Sequence, residues 1–130
     1  MNTMNEQGIF DEIAVNNRHF SKAPDAFFYA WKRGVELVGP DLFGNGSREG
    51  LDLAVDKWDL CPNVALIRKA IGVMSSGEKV FLAAMVSFYN ANDGGALLKR
   101  VGVHGLADLG GLDLERRRII AALLLNCTGW

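Results

Sequence analysis

Histidine, the side chain most often used for acid–base chemistry near neutral pH, occurs only twice in the chain, at His19 and His104. His104 lies in a glycine-flanked turn, residues 102–105, where it could bind a ligand. The chain has no recognisable nucleophile elbow, no HExxH motif and no pair of carboxylates on one helix face. We therefore expect no catalytic residues. A small-molecule binder or hydrolase with a pocket near His104 remains an alternative.

Two glycine-containing segments superficially match ligand-binding loops. The glycines within residues 44–50 suggest a phosphate-binding loop, but such loops follow a buried strand, and the P-loop also needs a lysine after its last glycine. Residues 90–95 suggest a calcium loop, whose position 12 must be acidic. The two registers that place a glycine at position 6 put Val101 or Arg100 at position 12. We expect no cofactor and no metal at either segment.

The cysteines and the N-terminal residues predict a cytoplasmic protein. Cys61 and Cys127 lack CxxC spacing and have no histidine beside them, which favours ordinary core residues over a redox or metal site. Residues 1–7 are polar and lack the basic and apolar regions of a signal peptide. No apolar run approaches the roughly 18 residues needed to cross a bilayer, so we expect no membrane partner.

The charge balance argues against general nucleic-acid binding. The chain has 14 Lys and Arg against 15 Asp and Glu, for a formal charge of -1, and lacks the positive field that nonspecific binding requires. Residues 94–130 are locally basic, with five basic and three acidic side chains. The candidate anion or nucleic-acid contacts are Lys99, Arg100, Arg116, Arg117 and Arg118. Three consecutive arginines fan out at about 100° per residue on a helix, which favours a solvated face over one patch.

Residues 97–105 look like the first half of a helix-turn-helix, in which a basic amphipathic helix ends in Gly-Val before a recognition helix. The second half departs from that motif. Asp108 stands where the motif buries an apolar side chain, and the glycines at 110 and 111 would break a recognition helix. A nucleic-acid-binding regulator that uses the C-terminal third is therefore an alternative and not the first hypothesis.

The elements that must position these residues are predicted to be helices throughout. Apolar residues at helical spacing predict two opening helices, around residues 9–14 and 27–38, with Pro24 in the first turn of the second. Ser47 is placed to cap a third helix that carries Trp58 on its apolar side, and a fourth follows Pro62. Strand-like alternation is absent.

The C-terminal half contains the strongest helix prediction. Residues 77–91 are apolar nearly all round, as expected of a central helix, and the segment SSGE before them has capping-box spacing. Asp93 is expected to cap a short helix over residues 96–101, and Asp113 a last helix, with one turn between them at residues 105–109. The fold prediction is an all-α, compact single domain of five to seven helices, with residues 1–7 disordered or frayed.

Two segments, FLAAMVSFYNA (81–91) and LADLGGLD (106–113), with the glycine pair at 94–95 between them, resemble a family of small helical bacterial proteins carried on integrative and conjugative elements. The resemblance covers residues 77–125 at most. It implies an accessory protein of a mobile element, with no activity and no catalytic residues to carry over. Independently of the resemblance, Asp108 and Asp113 are expected to hydrogen-bond the backbone, with the leucines of the second segment on the apolar side of a tight turn.

Our first functional hypothesis is a non-enzymatic interaction protein whose apolar helix face binds another protein or a second copy of the chain. It depends on an aromatic excess, because such residues are enriched at interfaces. The candidate partner-binding residues are Phe27, Phe28, Trp31 and Trp58, with Tyr29 in the same excess. The alternative that all five are core residues stays open.

Overall fold

The computed structural model describes residues 6–130, and the fold is all-α, as predicted. The α-helices are α1 (Glu6–Val38), α2 (Arg48–Leu53), α3 (Val64–Ala70), α4 (Ser76–Tyr89), α5 (Ala91–Arg100) and α6 (Leu114–Asn126). Short 3₁₀ helices cover Pro40–Leu42, Lys57–Leu60, Ile71–Val73 and Leu106–Gly111. Within residues 6–130 there is no β-strand, only an isolated bridge between Phe43 and Pro62.

The helix α4 lies at the centre of the core, which confirms the prediction made for residues 77–91. Six consecutive residues, 81–86, are buried, so this helix is covered on all sides. Its N-cap is Ser75, whose hydroxyl accepts a hydrogen bond from the N–H of Glu78. It packs most extensively on α5, while α1 packs most extensively on α6. The core therefore consists of two helix pairs, α4 with α5 and α1 with α6, and the short 3₁₀ helices pack around them.

The expectation of two opening helices is wrong, because α1 is one continuous helix that contains Pro24. A proline inside a helix removes one backbone hydrogen bond and crowds the carbonyl four residues earlier. The adjoining turns offset that cost here, since the buried residues Ala23 and Phe27 anchor α1 on both sides of the proline. Glu6 and Gln7, within the segment expected to be disordered or frayed, are the first two residues of α1. Residues 1–5 lie outside the described part of the chain.

Capping explains most of the other helix starts. Ser47 and Asp113 accept the predicted N-cap hydrogen bonds at the starts of α2 and α6. Helix α3 is capped by Asn63, which was not predicted from the sequence, and Pro62 precedes the helix. The bounds differ from the sequence prediction in two places. Helix α2 ends at Leu53, so Trp58 belongs to a separate 3₁₀ helix.

Helix α5 also begins earlier than predicted. Asn90 and not Asp93 is its N-cap, and the glycine pair at 94–95 lies inside the helix. Glycine is unfavourable in a helix interior, which is why the sequence suggested a break there. Gly94 is nevertheless required: an added Cβ would lie 2.2 Å from the Cα of Ser87 on α4. The close packing of α4 on α5 depends on this missing side chain.

Candidate functional site

The N-terminal part of α1, residues 6–22, contains no buried residue, and from His19 toward residue 6 it extends past the end of α6; we call this segment the arm. Two contacts fix the orientation of α6 on α1. Arg33 Nη2 lies 3.0 Å from Glu115 Oε1, and His19 Nε2 lies 3.0 Å from the Leu125 carbonyl oxygen. The two helices are therefore antiparallel, and α6 ends within one residue of the second contact. At 1.5 Å per residue, α1 continues for roughly 20 Å beyond this point.

The apolar face of the arm continues the line of residues by which α1 contacts the core. Ile9 precedes Phe27, and Ile13 precedes Trp31, by 18 residues, which is five full helical turns. The two aromatic residues are buried, and every buried residue of α1 lies after residue 22. Ile9 and Ile13, in contrast, are 45% and 49% exposed. The arm thus carries a core-type face that nothing in residues 6–130 buries.

We define the arm stripe as Ile9, Ile13 and Phe20, which point to one side of α1. Phe20 follows Ile13 by two turns and is exposed, as the two isoleucines are. Val15 is equally exposed but lies about 140° away around the helix from the stripe. The exposed large apolar side chains on the arm stripe and beside it are Ile9, Phe10, Ile13 and Phe20. An exposed row of apolar side chains is typical of a protein-binding site.

The charges of the arm are ordered along its length. Glu6, Asp11 and Glu12 lie toward the tip, while Arg18 and Lys22 lie toward the base. None of these five side chains forms an ion pair within the described residues. Asp11, Arg18 and Lys22 lie about 160–180° around α1 from the apolar face of Ile9 and Ile13, so a partner bound on that face would not meet them.

Two of the four predicted partner-binding aromatic residues lie in the core. Trp31 is completely buried, and its indole N–H donates to the Leu60 carbonyl at 2.9 Å; Phe27 stacks on it with ring centroids 6.1 Å apart. Burial corrects the expectation that these two form a contact surface. Phe28 is half-buried, whereas Trp58 is 60% exposed and remains available.

The arginines of α6 separate, as the helical fan predicts. Arg116 pairs with Asp113 and lies over the ring of Phe81 at 5.7 Å. Arg117 turns toward the preceding 3₁₀ helix, where its guanidinium donates to the carbonyl oxygens of Leu112 and Gly110. These two side chains hold the start of α6 and do not form a common basic patch.

The other basic candidates are also dispersed. Arg118 lies in a groove between α1 and α6 together with Arg33 and Glu115. Arg100 Nη1 donates to the carbonyl oxygen of Arg68 on α3, 2.8 Å away, so it joins α5 to α3. Lys99 is exposed on α5. Of the five predicted anion contacts, Arg100, Arg116 and Arg117 therefore bind oxygen atoms of the chain itself.

The predicted pocket near His104 corresponds to an open groove of about 430 Å³ between α4 and α6. Its walls are mainly apolar and include Phe88, Leu98 and Ile120, with His104 at the rim. The carboxylate of Asp108 does not orient the imidazole. It accepts the backbone N–H groups of residues 104 and 105, at 2.7 and 3.3 Å, which lowers the pKa of Asp108. A ligand in this groove would meet apolar walls and one histidine.

Asp108 and Asp113 have the backbone roles expected of them. Asp113 caps α6 through the N–H of Arg116, and this hydrogen bond lowers the pKa of the carboxyl. The three leucines of the turn differ, since Leu112 is buried, Leu109 is half-buried and Leu106 is 82% exposed. Leu106 therefore lies outside the apolar side of the turn on which it was expected.

The remaining chemical groups do not converge on a reactive centre. Cys61 is half-buried, and desolvation raises the pKa of its thiol, which favours the unreactive protonated form. Within residues 6–130 no three His, Cys, Asp or Glu side chains are arranged to hold a metal ion. Over the same residues, no helix combines the length and the hydropathy needed to cross a bilayer.

Comparisons of the chain with protein-family models, curated proteins and solved structures found no match. The proposal on function therefore depends on the positions and exposure of the residues described above. Sequence reasoning found the apolar residues of the arm but assigned them to an ordinary amphipathic helix. The available signal was the 18-residue spacing between Ile9 and Phe27 and between Ile13 and Trp31, which places two sets of large side chains on one face.

Proposed function

We propose that this protein is a non-enzymatic interaction protein that binds a helical protein partner through the arm stripe. A single observation carries the proposal: the face by which α1 packs in the core continues along the arm, where its side chains are about half exposed. An amphipathic helix presents apolar residues at this spacing to another packed element. The resemblance of residues 77–125 adds the expectation of an accessory protein of a bacterial mobile element, and the cysteine spacing with the polar N-terminal residues adds that of a cytoplasmic location.

The proposal is supported by the rigid helix on which the arm stripe lies. The arm is continuous with the buried part of α1, and His19 fastens its base to the end of α6. The helix that carries the stripe is therefore already formed before a partner arrives, so less conformational entropy is lost on binding. Phe10 and Phe20 supply aromatic contact area of the kind enriched at interfaces.

The two alternatives have weaker support. Nucleic-acid binding would use the basic C-terminal third, but Arg100, Arg116 and Arg117 are engaged with carbonyl or carboxylate oxygens of the chain. Binding or hydrolysis near His104 would use the apolar groove, whose volume of about 430 Å³ is within the usual range for small ligands. Hydrolysis would need an activated nucleophile, but the Ser87 hydroxyl in the groove lining donates to the Ala84 carbonyl oxygen, so simple binding is the stronger form of this alternative.

Photocrosslinking from defined positions of the arm tests the proposal. A benzophenone side chain replaces Ile13 in one variant and Val15, which is equally exposed on another face, in the control variant. In cells that naturally make the protein, we expect one defined crosslinked product from position 13 and little from position 15. When Phe20→Ser is added to the variant with benzophenone at position 13, the crosslinked product should disappear. Equal crosslinking from both positions, or none from either, would overturn the proposal.

A further inference from the structure

The ammonium group of Lys57 lies among three aromatic rings, which we call the aromatic cage: Phe27 on α1, Trp58 on the 3₁₀ helix Lys57–Leu60, and Trp130 beyond the end of α6. Lys57 Nζ is 5.5, 6.0 and 5.2 Å from the respective ring centroids. The negative face of an aromatic ring attracts a cation over roughly 6 Å. The ring of Trp130 is inclined by 79° to that of Phe27 and by 75° to that of Trp58, so the rings face the ammonium from different directions.

The ammonium of Lys57 is held mainly by these rings. Nζ donates a hydrogen bond to the Gly129 carbonyl oxygen, 2.9 Å away, and forms no ion pair within residues 6–130. The side chain is half-buried, whereas a surface lysine ordinarily keeps its charged end in water. The chain's own lysine therefore shows which chemical group the aromatic cage accommodates, namely an ammonium ion.

A cavity of about 230 Å³ adjoins the aromatic cage. Its lining includes Phe27 and Trp58 of the cage, Lys57, and the two acidic residues Asp25 and Asp56. Asp56 Oδ1 accepts the backbone N–H of Trp58, while Asp25 makes no hydrogen bond or ion pair within the described residues. Aromatic faces and carboxylates together favour a cation over an anion. The volume is below the roughly 300 Å³ at which ordinary ligand pockets begin, so the ligand must be small.

We propose that the aromatic cage and this cavity bind a small quaternary ammonium compound, whose trimethylammonium group replaces the Lys57 ammonium between the rings. A lysine ammonium is compact and strongly hydrated. A methylated ammonium is larger and less hydrated, so it contacts the rings more extensively and loses less hydration when it enters. The flexible stem of Lys57 lets its own ammonium move out into solvent. Lys57 is then a built-in competitor that closes the site when no ligand is bound. The site shares no residue with the arm stripe, and the inference is independent of the proposed function.

Competition from Lys57 makes the expected affinity low. A group on a short flexible tether competes at an effective concentration of about millimolar, so we expect a Kd in the millimolar range for choline, the probe compound. Lys57→Ala removes the competitor. It should lower the Kd by about tenfold or more, because the apparent affinity is reduced by the fraction of molecules in which the site is closed.

Titration of the whole chain with choline at constant ionic strength measures the binding, with the NMR signals of the Trp58 and Trp130 indole N–H groups as the readout. The control ligand is the neutral isostere of choline, in which a tert-butyl group replaces the trimethylammonium group. It should bind at least about fivefold more weakly, because it lacks the attraction between a cation and the rings. Equal binding of the two compounds, or no shift of either signal with choline, overturns the inference. This comparison uses the wild type alone and does not depend on any variant folding.

Two substitutions locate the site. Trp58→Ala removes one ring of the cage and should weaken choline binding by about fivefold or more, with the Trp130 indole still available as the reporter. Tyr29→Ala is the matched control, because Tyr29 is an aromatic residue of similar exposure, 67% against 60%, outside the cage. It should bind choline like the wild type. Equal effects of the two substitutions, or a Lys57→Ala protein of unchanged helical content that binds no more tightly than the wild type, overturn the inference.

The size of the ligand has its own test. A peptide that carries trimethyllysine presents the same trimethylammonium group on a polypeptide. We expect it to bind no more tightly than choline, because the cavity of about 230 Å³ accommodates only a small molecule. Binding of the peptide about tenfold tighter than that of choline would overturn the assignment to a small compound.

Discussion

The imidazole Nε2 of His19 lies 3.0 Å from the carbonyl oxygen of Leu125, and this hydrogen bond joins α1 to the last turn of α6 at the base of the arm. Carbonyl groups in the last turn of a helix have no partner within that helix. His19 therefore satisfies a group at the C-terminus of α6 from a neighbouring element. The same contact marks the point at which α1 leaves the body of the protein.

His19→Ala should lower the free energy of unfolding by about 1 kcal/mol, since one hydrogen bond to a solvent-accessible carbonyl is lost. Hydrogen exchange should show faster exchange at residues 17–22 and at the end of α6. His104→Ala is the control, because the ring of His104 makes no hydrogen bond within the described residues. Equal effects of the two substitutions would show that the His19 contact does not hold the arm.

The fold was largely predictable because its signals are local. Capping residues such as Ser47, Ser75 and Asp113 and the apolar run of α4 depend on a few neighbouring residues, and the structure uses them as predicted. Pro24 and the glycine pair at 94–95 were misjudged for the opposite reason. Their local cost is offset by packing against segments far away in sequence, which a local pattern does not reveal.

The candidate site was less predictable than the fold. Apolar spacing shows that Ile9 and Ile13 belong to an amphipathic helix, but whether they are covered depends on where α6 ends in space. The aromatic residues show in the same way that burial depends on the tertiary structure. Trp31 and Trp58 are equally plausible interface residues in the sequence, yet the first is buried and the second is exposed.

Gly94→Ala should destabilise the protein by about 1 to 3 kcal/mol. The added Cβ would lie 2.2 Å from Ser87 Cα and 2.4 Å from Ser87 N, and backbone atoms in the middle of the α4–α5 contact cannot rotate away. Gly95→Ala is the matched control, with no atom within 4 Å of its Cβ. The control should be neutral or stabilising by up to about 1 kcal/mol, as expected for alanine in place of glycine in a helix. Urea unfolding of both variants measures the difference, and equal stabilities would contradict the close contact.

Trp130 packs in an aromatic cluster, with its ring centroid 4.8 Å from that of Trp31 and 5.1 Å from that of Tyr89. Its indole N–H is buried and has no acceptor within the described residues. Trp130→Ala should therefore cost about 3 kcal/mol of stability, through the loss of ring packing. Trp130→Phe should cost clearly less, because it keeps an aromatic ring and removes the unpaired donor. Thermal unfolding of the two variants distinguishes these effects, and equal losses would show that the N–H does have a partner.

Asp108 gives the turn before α6 a defined pH dependence. Its carboxylate accepts two backbone N–H groups, so its pKa in the folded protein is below the ordinary value of about 3.9 in an unfolded chain. A lowered pKa means that the carboxylate stabilises the fold above the unfolded pKa and loses this effect as the pH falls through the folded pKa. Asp108→Asn should therefore lower the melting temperature at neutral pH, and the difference from the wild type should shrink below about pH 4.

Melting temperatures of the wild type, Asp108→Asn and a control, Asp25→Asn, between neutral pH and about pH 3 check this expectation. Asp25 is exposed on α1 and makes no hydrogen bond or ion pair within the described residues, so its replacement changes only the net charge. The control should show a small difference from the wild type at neutral pH. A gap for Asp108→Asn that stays constant to the lowest pH would mean that side-chain shape, and not the carboxylate charge, holds residues 104 and 105 in place.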